Sequence, residues 1–310
     1  MNWLAKLSKL RVDRASRTPA PHKPLLLLAI IDQIEEGTIQ FPVVRLSPEL
    51  AFRFLTYWQV VAHRGRNVGQ IELPFFYLKS DGILSHFARP GLDAALTVIR
   101  PRSVAALNRV ISHAELVGDF YQFLTIRENR DDARQVLING NWFFPEEKSA
   151  LAEALGINFE ACPKGNTLDD EKDSASTGRD VKFRLQIVPL YRYACALCKL
   201  KVLLPNGTTI VEAAHIHAFS KSRNDDITNG MALSSNHHWA FDQGIWTLDP
   251  AYRVIVAAGH FDETGPEHSG LTHFHGKTID FSWLQPPFRP SIKALEWHYD
   301  RCFLGRTSEQ

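Results

Sequence analysis

The stretch EAAHIHAFSKSRNDDITNGMALSSNHHWAFDQG, residues 212–244, carries the densest chemistry in the chain. Residues 235–241 read as a short helix, so His238 and Asp242, four apart, share one helix face and can grip one cation. Just upstream, residues 201–204, the pair Asn206-Gly207 and residues 208–213 read as a β-hairpin, because Asn-Gly favours the tight type I′ turn. The second strand of that hairpin delivers His215. Residues 216–227 lack a clean period and end in a polar loop that holds Asn229-Gly230, and residues 244–248 and 252–256 form a further hairpin around Asp249-Pro250. A strand packed against the short helix would set His215 across a phosphate from a metal held by His238 and Asp242. A base that titrates near neutrality opposite a divalent-ion site suits hydrolysis of a phosphodiester.

Outward from this stretch, 310 residues fit two compact cores better than one. A composition of 45% hydrophobic and 22% charged residues excludes global disorder, collagen and low-complexity scaffolds. The longest strongly apolar run, residues 25–31, falls well short of the roughly 20 residues a membrane span needs. The first ten residues lack the features of a secretory signal, and the four cysteines are too few and too unevenly placed to staple the chain, so a reducing cytoplasm is expected. The net charge of +1 neither demands nor excludes an anionic partner. Histidine is concentrated, with nine of 13 falling between His215 and His298, as expected of a catalytic half.

The expected linker is residues 162–179, aperiodic, polar and without an aromatic. It separates residues 1–161 from residues 180–310. In the first part, helices are expected after Pro24, over 47–59, 103–125, 129–138 and 145–155, with a small hairpin of strands at 71–78 and 83–87. Pro74 cannot donate to a ladder and places its strand at an edge. The fold class is therefore α+β: a mostly helical first domain with one small sheet, then a ββα unit.

Three blocks, Glu212-Ala-Ala-His-Ile, Asn229-Gly-Met-Ala-Leu and His237-His-Trp-Ala-Phe-Asp-Gln-Gly244, resemble the HNH nucleases of the ββα-metal fold. The resemblance implies that His215 is the general base, that Asn229 fixes the loop and the orientation of that base, and that His238 and Asp242 are metal ligands. It further implies a single Mg²⁺ or Mn²⁺ ion, double-stranded DNA as substrate, and products with a 5′-phosphate and a 3′-hydroxyl. Many relatives carry a ligand immediately before the base, where this chain has Ala214; Glu212, on the same strand face, is a candidate substitute. Relatives complete a zinc clip with a second Cys-x-x-Cys, but Cys195-x-x-Cys198 finds only Ser234-Ser-Asn-His237 opposite it. The two cysteines are accordingly expected as reduced core residues rather than a structural Zn²⁺ site, and His217 and His237 as supporting residues.

In the first part, Pro21-His-Lys-Pro-Leu-Leu-Leu-Leu28 and Ile71-Glu-Leu-Pro-Phe-Phe-Tyr-Leu-Lys-Ser-Asp-Gly82 resemble the sulfur-binding domain found upstream of HNH modules in type IV, modification-dependent restriction enzymes. The implied mark is a phosphorothioate, whose sulfur is larger, softer and less hydrated than oxygen. Pro74 and Phe75 would form an apolar cup for it, rimmed by Arg17, His22 and Lys23, with Arg64 and Arg66 as further backbone contacts. Two alternatives stand beside this reading. One is a reader of modified bases using Tyr57, Trp58 or Phe76, and the other is a DNA-binding protein whose HNH module is degenerate at Ala214. Because one site cuts one strand, a homodimer is expected.

Overall fold

The computed structural model describes residues 2–13, 19–65, 69–157, 170–266 and 268–306, the side chains of 170–176 excepted. Two compact units emerge: Met1–Lys182 with Leu204–Thr208, and Phe183–Leu203 with Thr209–Gln310. No helix among the described residues is long and apolar enough to cross a membrane.

The first unit runs α1 (Trp3–Leu7), α2 (His22–Glu35), β1 (Val43–Val44), α3 (Pro48–Trp58), α4 (Glu72–Tyr77), β2 (Leu84–Ala88), α5 (Asp93–Val98), α6 (Val104–Val110), β3 (Ile111–Leu116), α7 (Gly118–Thr125), α8 (Arg127–Asn139) and α9 (Pro145–Leu155). Helix α2 is buried from Lys23 to Ile34 and forms the centre of this core. Helix α3 begins where Ser47 accepts from the Leu50 N–H and Pro48 occupies the first turn, as its sequence predicts.

Two expectations fail here. Residues 71–78 form no strand; they form α4, and Pro74 sits in its first turn, where the missing N–H has no helical partner to lose. Residues 103–125 are not one helix but α6, β3 and α7, and β3 is the central strand of an antiparallel sheet ordered β1-β3-β2. Val110 and Ile111, both β-branched, stand where α6 gives way to the strand, and pairing with both neighbours outweighs the helical pattern.

Helix α10 (Asp170–Leu190) takes in residues 170–179 of the expected linker and continues through Pro189 in its last turn. The earlier part of that linker lies outside the described residues. The second unit continues with β4 (Val211–His215), α11 (Phe219–Ser222), β5 (Gly230–Ser234), α12 (Ser235–Asp242), β6 (Trp246–Leu248), β7 (Val254–Val256) and α13 (Ile292–Arg301). The hairpin expected from Asn206-Gly207 shrinks to a single bridge, Leu203 to Thr209. Strand β4 instead pairs antiparallel with β5 from Val211↔Ser234 to His215↔Gly230. Gly230 is required by packing: a Cβ there would lie 2.3 Å from the Ile187 side chain of α10. Gly244, at φ +69°, closes α12 so tightly that a Cβ would meet the Cys302 carbonyl oxygen at 1.9 Å. The β6–β7 hairpin forms as expected. Phe183, Ile187, Met231, Leu233, Phe241 and Trp246 meet in the core beneath these elements. The whole is α+β.

Candidate active site

Strand β4 presents Glu212 and His215, and α12, entered directly from β5, presents His238 and Asp242. Glu212, His238 and Asp242 form one connected row, and His215 lies near enough for its charge to act on Asp242. His238 Nδ1 lies 2.8 Å from Glu212 Oε2, and its Nε2 lies 3.4 Å from Asp242 Oδ2. The Ser235 hydroxyl donates to Glu212 Oε1 at 2.7 Å. Burial pushes the Glu212 carboxyl up, but the hydrogen bonds from Ser235 and His238, with the charges of His238 and Arg184, outweigh it and hold the group below the usual range. Asp242 is raised, by burial first; the Glu212 charge adds to this, while His238 and His215 oppose it.

The His215 ring lies flat on Phe183, centroids 3.9 Å apart and planes within 4°. Its Nε2 is 2.7 Å from Asp225 Oδ1. Asp225 escaped the sequence reading, since an acid in an aperiodic loop carries no signal of its own. Asn229 is 1% exposed and clamps the loop: its Oδ1 accepts from the His217 N–H at 2.8 Å, and its Nδ2 donates to the carbonyls of His217 at 3.0 Å and Asn224 at 2.9 Å. The Ile216 N–H also donates to the Asn229 carbonyl, at 2.9 Å. Asn229 therefore ties together the two ends of the segment that holds Asp225 against His215. His217 stacks on Trp297 at 3.7 Å.

The donor set can be tested against a hard divalent ion. Two donors in adjacent positions on an ion with bonds of about 2.1 Å are about 3 Å apart. The His238 Nε2 to Asp242 Oδ2 separation of 3.4 Å fits such a pair.

A second group of donors lies below. Cys195 Sγ, Cys198 Sγ and a ring nitrogen of His237 all fall within 4.8 Å of one another, with Cys195 and His237 buried. His237 Nδ1 is 3.3 Å from Cys195 Sγ, and Ser234 Oγ hydrogen-bonds both, at 3.0 and 3.6 Å. Hydrogen bonds from Cys198 and His237 hold the Cys195 thiol well below its ordinary range, whereas Cys198 is raised. A Cys-x-x-Cys pattern gives no signal for this pairing, because the third donor is a histidine where a second cysteine pair would stand.

In the first unit the expected recognition residues divide. Pro74 and His22 line a cavity of about 460 Å³ together with Arg11, Leu73 and Tyr77. His22 packs on Trp58, ring centroids 4.5 Å apart. Phe75 is fully buried and offers no surface to a ligand, which corrects its placement in an apolar cup. Lys23 also borders the cavity, but its ammonium is spent at 2.6 Å on both Asp81 and the Arg11 carbonyl, so it is an internal ion pair rather than a free rim. Arg64 is likewise no loop contact: its side chain is 5% exposed and its guanidinium is paired with Glu147. Arg17 and Arg66 lie outside the described residues.

Residues 195–249 match the family model for the HNH endonuclease domain, so the second unit contains an HNH endonuclease domain. A solved structure, the modification-dependent TagI restriction endonuclease, is similar with a TM-score of 0.31 and 14% identity, over 41% of this chain and 40% of that one. The chain thus spans well under half of that protein. No curated protein matches the chain.

Proposed function

We propose that the chain is a divalent-metal-dependent DNA endonuclease of the restriction type, directed by its first unit to modified DNA and in particular to phosphorothioated DNA. The observation that carries the nuclease reading is the site itself: His215 with Asp225 on one side, and His238 with Asp242 on the other, within the matched HNH segment.

In this reading His215 Nε2 donates to Asp225, which leaves Nδ1 as the acceptor for a proton from water. The resulting hydroxide attacks phosphorus, the P–O3′ bond breaks, the departing O3′ takes a proton from a solvent water, and the products are a 5′-phosphate and a 3′-hydroxyl. Phe183 and the Asn229 clamp hold the imidazole and its loop in place. His238 and Asp242 would hold Mg²⁺ or Mn²⁺, which when bound would offset charge on the phosphate and the leaving oxygen. Glu212, engaged by Ser235 and His238, is left out of the ligand set in this arrangement. Cys195, Cys198 and His237, two thiols and an imidazole, suit a softer ion such as Zn²⁺, which would pin the start of the unit to α12.

The recognition reading rests on the resemblance of residues 21–28 and 71–82 and on the cavity they share, whose wall of Leu73, Pro74 and Tyr77 is apolar beside His22. Sulfur on the DNA backbone gains from such a wall, while ordinary phosphate oxygen does not. A homodimer would supply the second nick.

The test is cleavage of matched phosphorothioated, base-methylated and unmodified duplexes with Mg²⁺ or Mn²⁺. Cutting confined to the phosphorothioated duplex supports the whole reading. Preference for the methylated duplex transfers the cavity to a modified base, and no metal-dependent cutting of any duplex leaves a DNA-binding protein with a degenerate module.

A further inference from the structure

We infer that Glu212 is the positioning residue for the metal-binding histidine: it fixes the His238 proton on Nδ1 and so turns a bare Nε2 toward Asp242. The inference rests on the nuclease reading for its consequence, but not for its observations. Those are three. Glu212 Oε2 is 2.8 Å from His238 Nδ1. Glu212 Oε1 accepts from Ser235 Oγ at 2.7 Å, so the carboxylate is held at both oxygens by residues of α12. The far nitrogen of the same ring faces Asp242 Oδ2 at 3.4 Å.

A neutral imidazole has one donor and one acceptor nitrogen, and the hydrogen bond made by one decides the other. An ionised carboxylate only accepts, so a proton on Nδ1 is what Glu212 selects. Nε2 is then a lone pair directed at a second carboxylate. Two acceptors at that separation repel each other unless a cation lies between them or Nε2 itself takes up a proton, so in the neutral ring the Glu212 contact prepares a two-donor cation site on α12. A carboxylate behind a ligating histidine is a recurrent arrangement, and its loss typically lowers metal affinity 10–100-fold. The sequence achieves it by pairing β4 with β5, from which α12 starts directly: Glu212, near the start of the strand, meets Ser235 and His238 of the helix. Ala214 is fully buried, and no ligand is possible at that position.

The role differs from that of a direct ligand in a way that substitution resolves. Glu212→Gln keeps an oxygen that can accept from Nδ1, whereas Glu212→Ala keeps none. The full-length protein is examined without metal or DNA by long-range ¹H–¹⁵N correlation of the histidine rings, with His238→Ala to assign the signal. Mn²⁺ alone is then titrated and followed by electron paramagnetic resonance. The expected result is an Nδ1-protonated His238 in the parent protein, conversion to the Nε2-protonated form in Glu212→Ala with a 10–100-fold weaker Mn²⁺ affinity, and retention of both tautomer and affinity to within a few-fold in Glu212→Gln. An unchanged tautomer in Glu212→Ala overturns the inference. Equal loss of Mn²⁺ in the Gln and Ala variants also overturns it, because that is the behaviour of a carboxylate ligand. If the parent protein binds Mn²⁺ no better than His238→Ala, the nuclease reading of the pair fails, and the tautomer measurement still decides the role of Glu212.

Discussion

Acidic and basic side chains are used in opposite ways in the two units. In the first, Asp32 is buried between Arg53 at 3.2 Å and Arg134 at 2.9 Å; Arg53 also holds Glu36 at 2.6 Å, Arg134 also holds Glu35, and Tyr57 donates to Asp32. Each charge there is met by another and the network is closed. In the second unit, Glu212 and Asp242 keep 43% and 55% of their side chains exposed, and His238 stands between them with a ring nitrogen toward each. A closed network centred on a buried carboxylate and two buried guanidinium groups fixes structure, because each desolvated charge has its partner. An open row of acceptors at the surface is arranged for something that arrives later. Electrostatics therefore separates scaffold from site more clearly here than residue type does, since both units are rich in Asp, Glu and Arg or His.

The largest effects should fall on the open set. Replacing His215 by Ala removes the proton acceptor and should lower the cleavage rate by about 10²- to 10⁴-fold while DNA affinity, measured by fluorescence anisotropy, stays near that of the parent. A variant that cuts normally would remove His215 from the chemistry and break the comparison at its functional end. The closed set should respond in stability instead. Arg134→Ala removes one of the two guanidinium partners of the buried Asp32 and should cost about 3–5 kcal/mol in urea unfolding. The turnover of the molecules that remain folded should be unchanged.

A third, somewhat smaller effect concerns a buried histidine that belongs to neither set. His298 on α13 stacks on Phe241 at 3.7 Å, with Thr247 Oγ 2.9 Å from Nδ1 and the Phe241 carbonyl 3.0 Å from Nε2. Burial pushes it down to about 4, against a partial opposing pull from that carbonyl. Because the folded protein prefers the neutral ring, the unfolded chain takes up the proton first. The stability that His298 supports is thus complete above about pH 6.5 and is lost as pH falls toward 4, by about 3 kcal/mol in all. Melting temperatures across this window should fall in the parent and fall less steeply in His298→Gln. Parallel slopes would show that other groups govern the acid limit.

The site was far more legible in the sequence than the first unit was, for a physical reason. His238 and Asp242 are placed by one short helix, and four residues along a helix fix a face whatever surrounds it. His215 is placed by a strand end and Asn229 by a turn, both also local. Asp225 and Glu212 acquire their partners only when loop and strand fold back, over 10 and 26 residues, and local pattern is silent on that. The partner of β4 was misread for the same reason: Asn206-Gly207 advertises a turn, while the ladder goes to β5, beyond the loop. In the first unit, Pro74 was read by its usual effect on a ladder, although a first helical turn accepts it equally well. Lys23 and Arg64 looked like free cations because Asp81 and Glu147 are 58 and 83 residues away in the chain.

The smallest expected effect tests whether the open face is a substrate surface at all. Trp239 follows His238 directly on α12, precedes Asp242 by three residues, and is 62% exposed. A lone exposed aromatic is ordinary on a protein surface. This one adjoins both members of the proposed cation pair, where a scissile strand must pass, and an indole offers a flat apolar face to a sugar or an unstacked base. Because so little of it is buried, Trp239→Ala should change stability by no more than about 0.5 kcal/mol. Contact with a single base is worth about 1 kcal/mol or more, so KM for a cleaved duplex should rise about fivefold with kcat nearly constant. A fall in kcat at saturating DNA would mean that the indole shapes the metal pair rather than the docked strand. No change in either constant would place the strand on another face of α12, and the half-exposed carboxylates of Glu212 and Asp242 would then need a different explanation from the one their geometry supports.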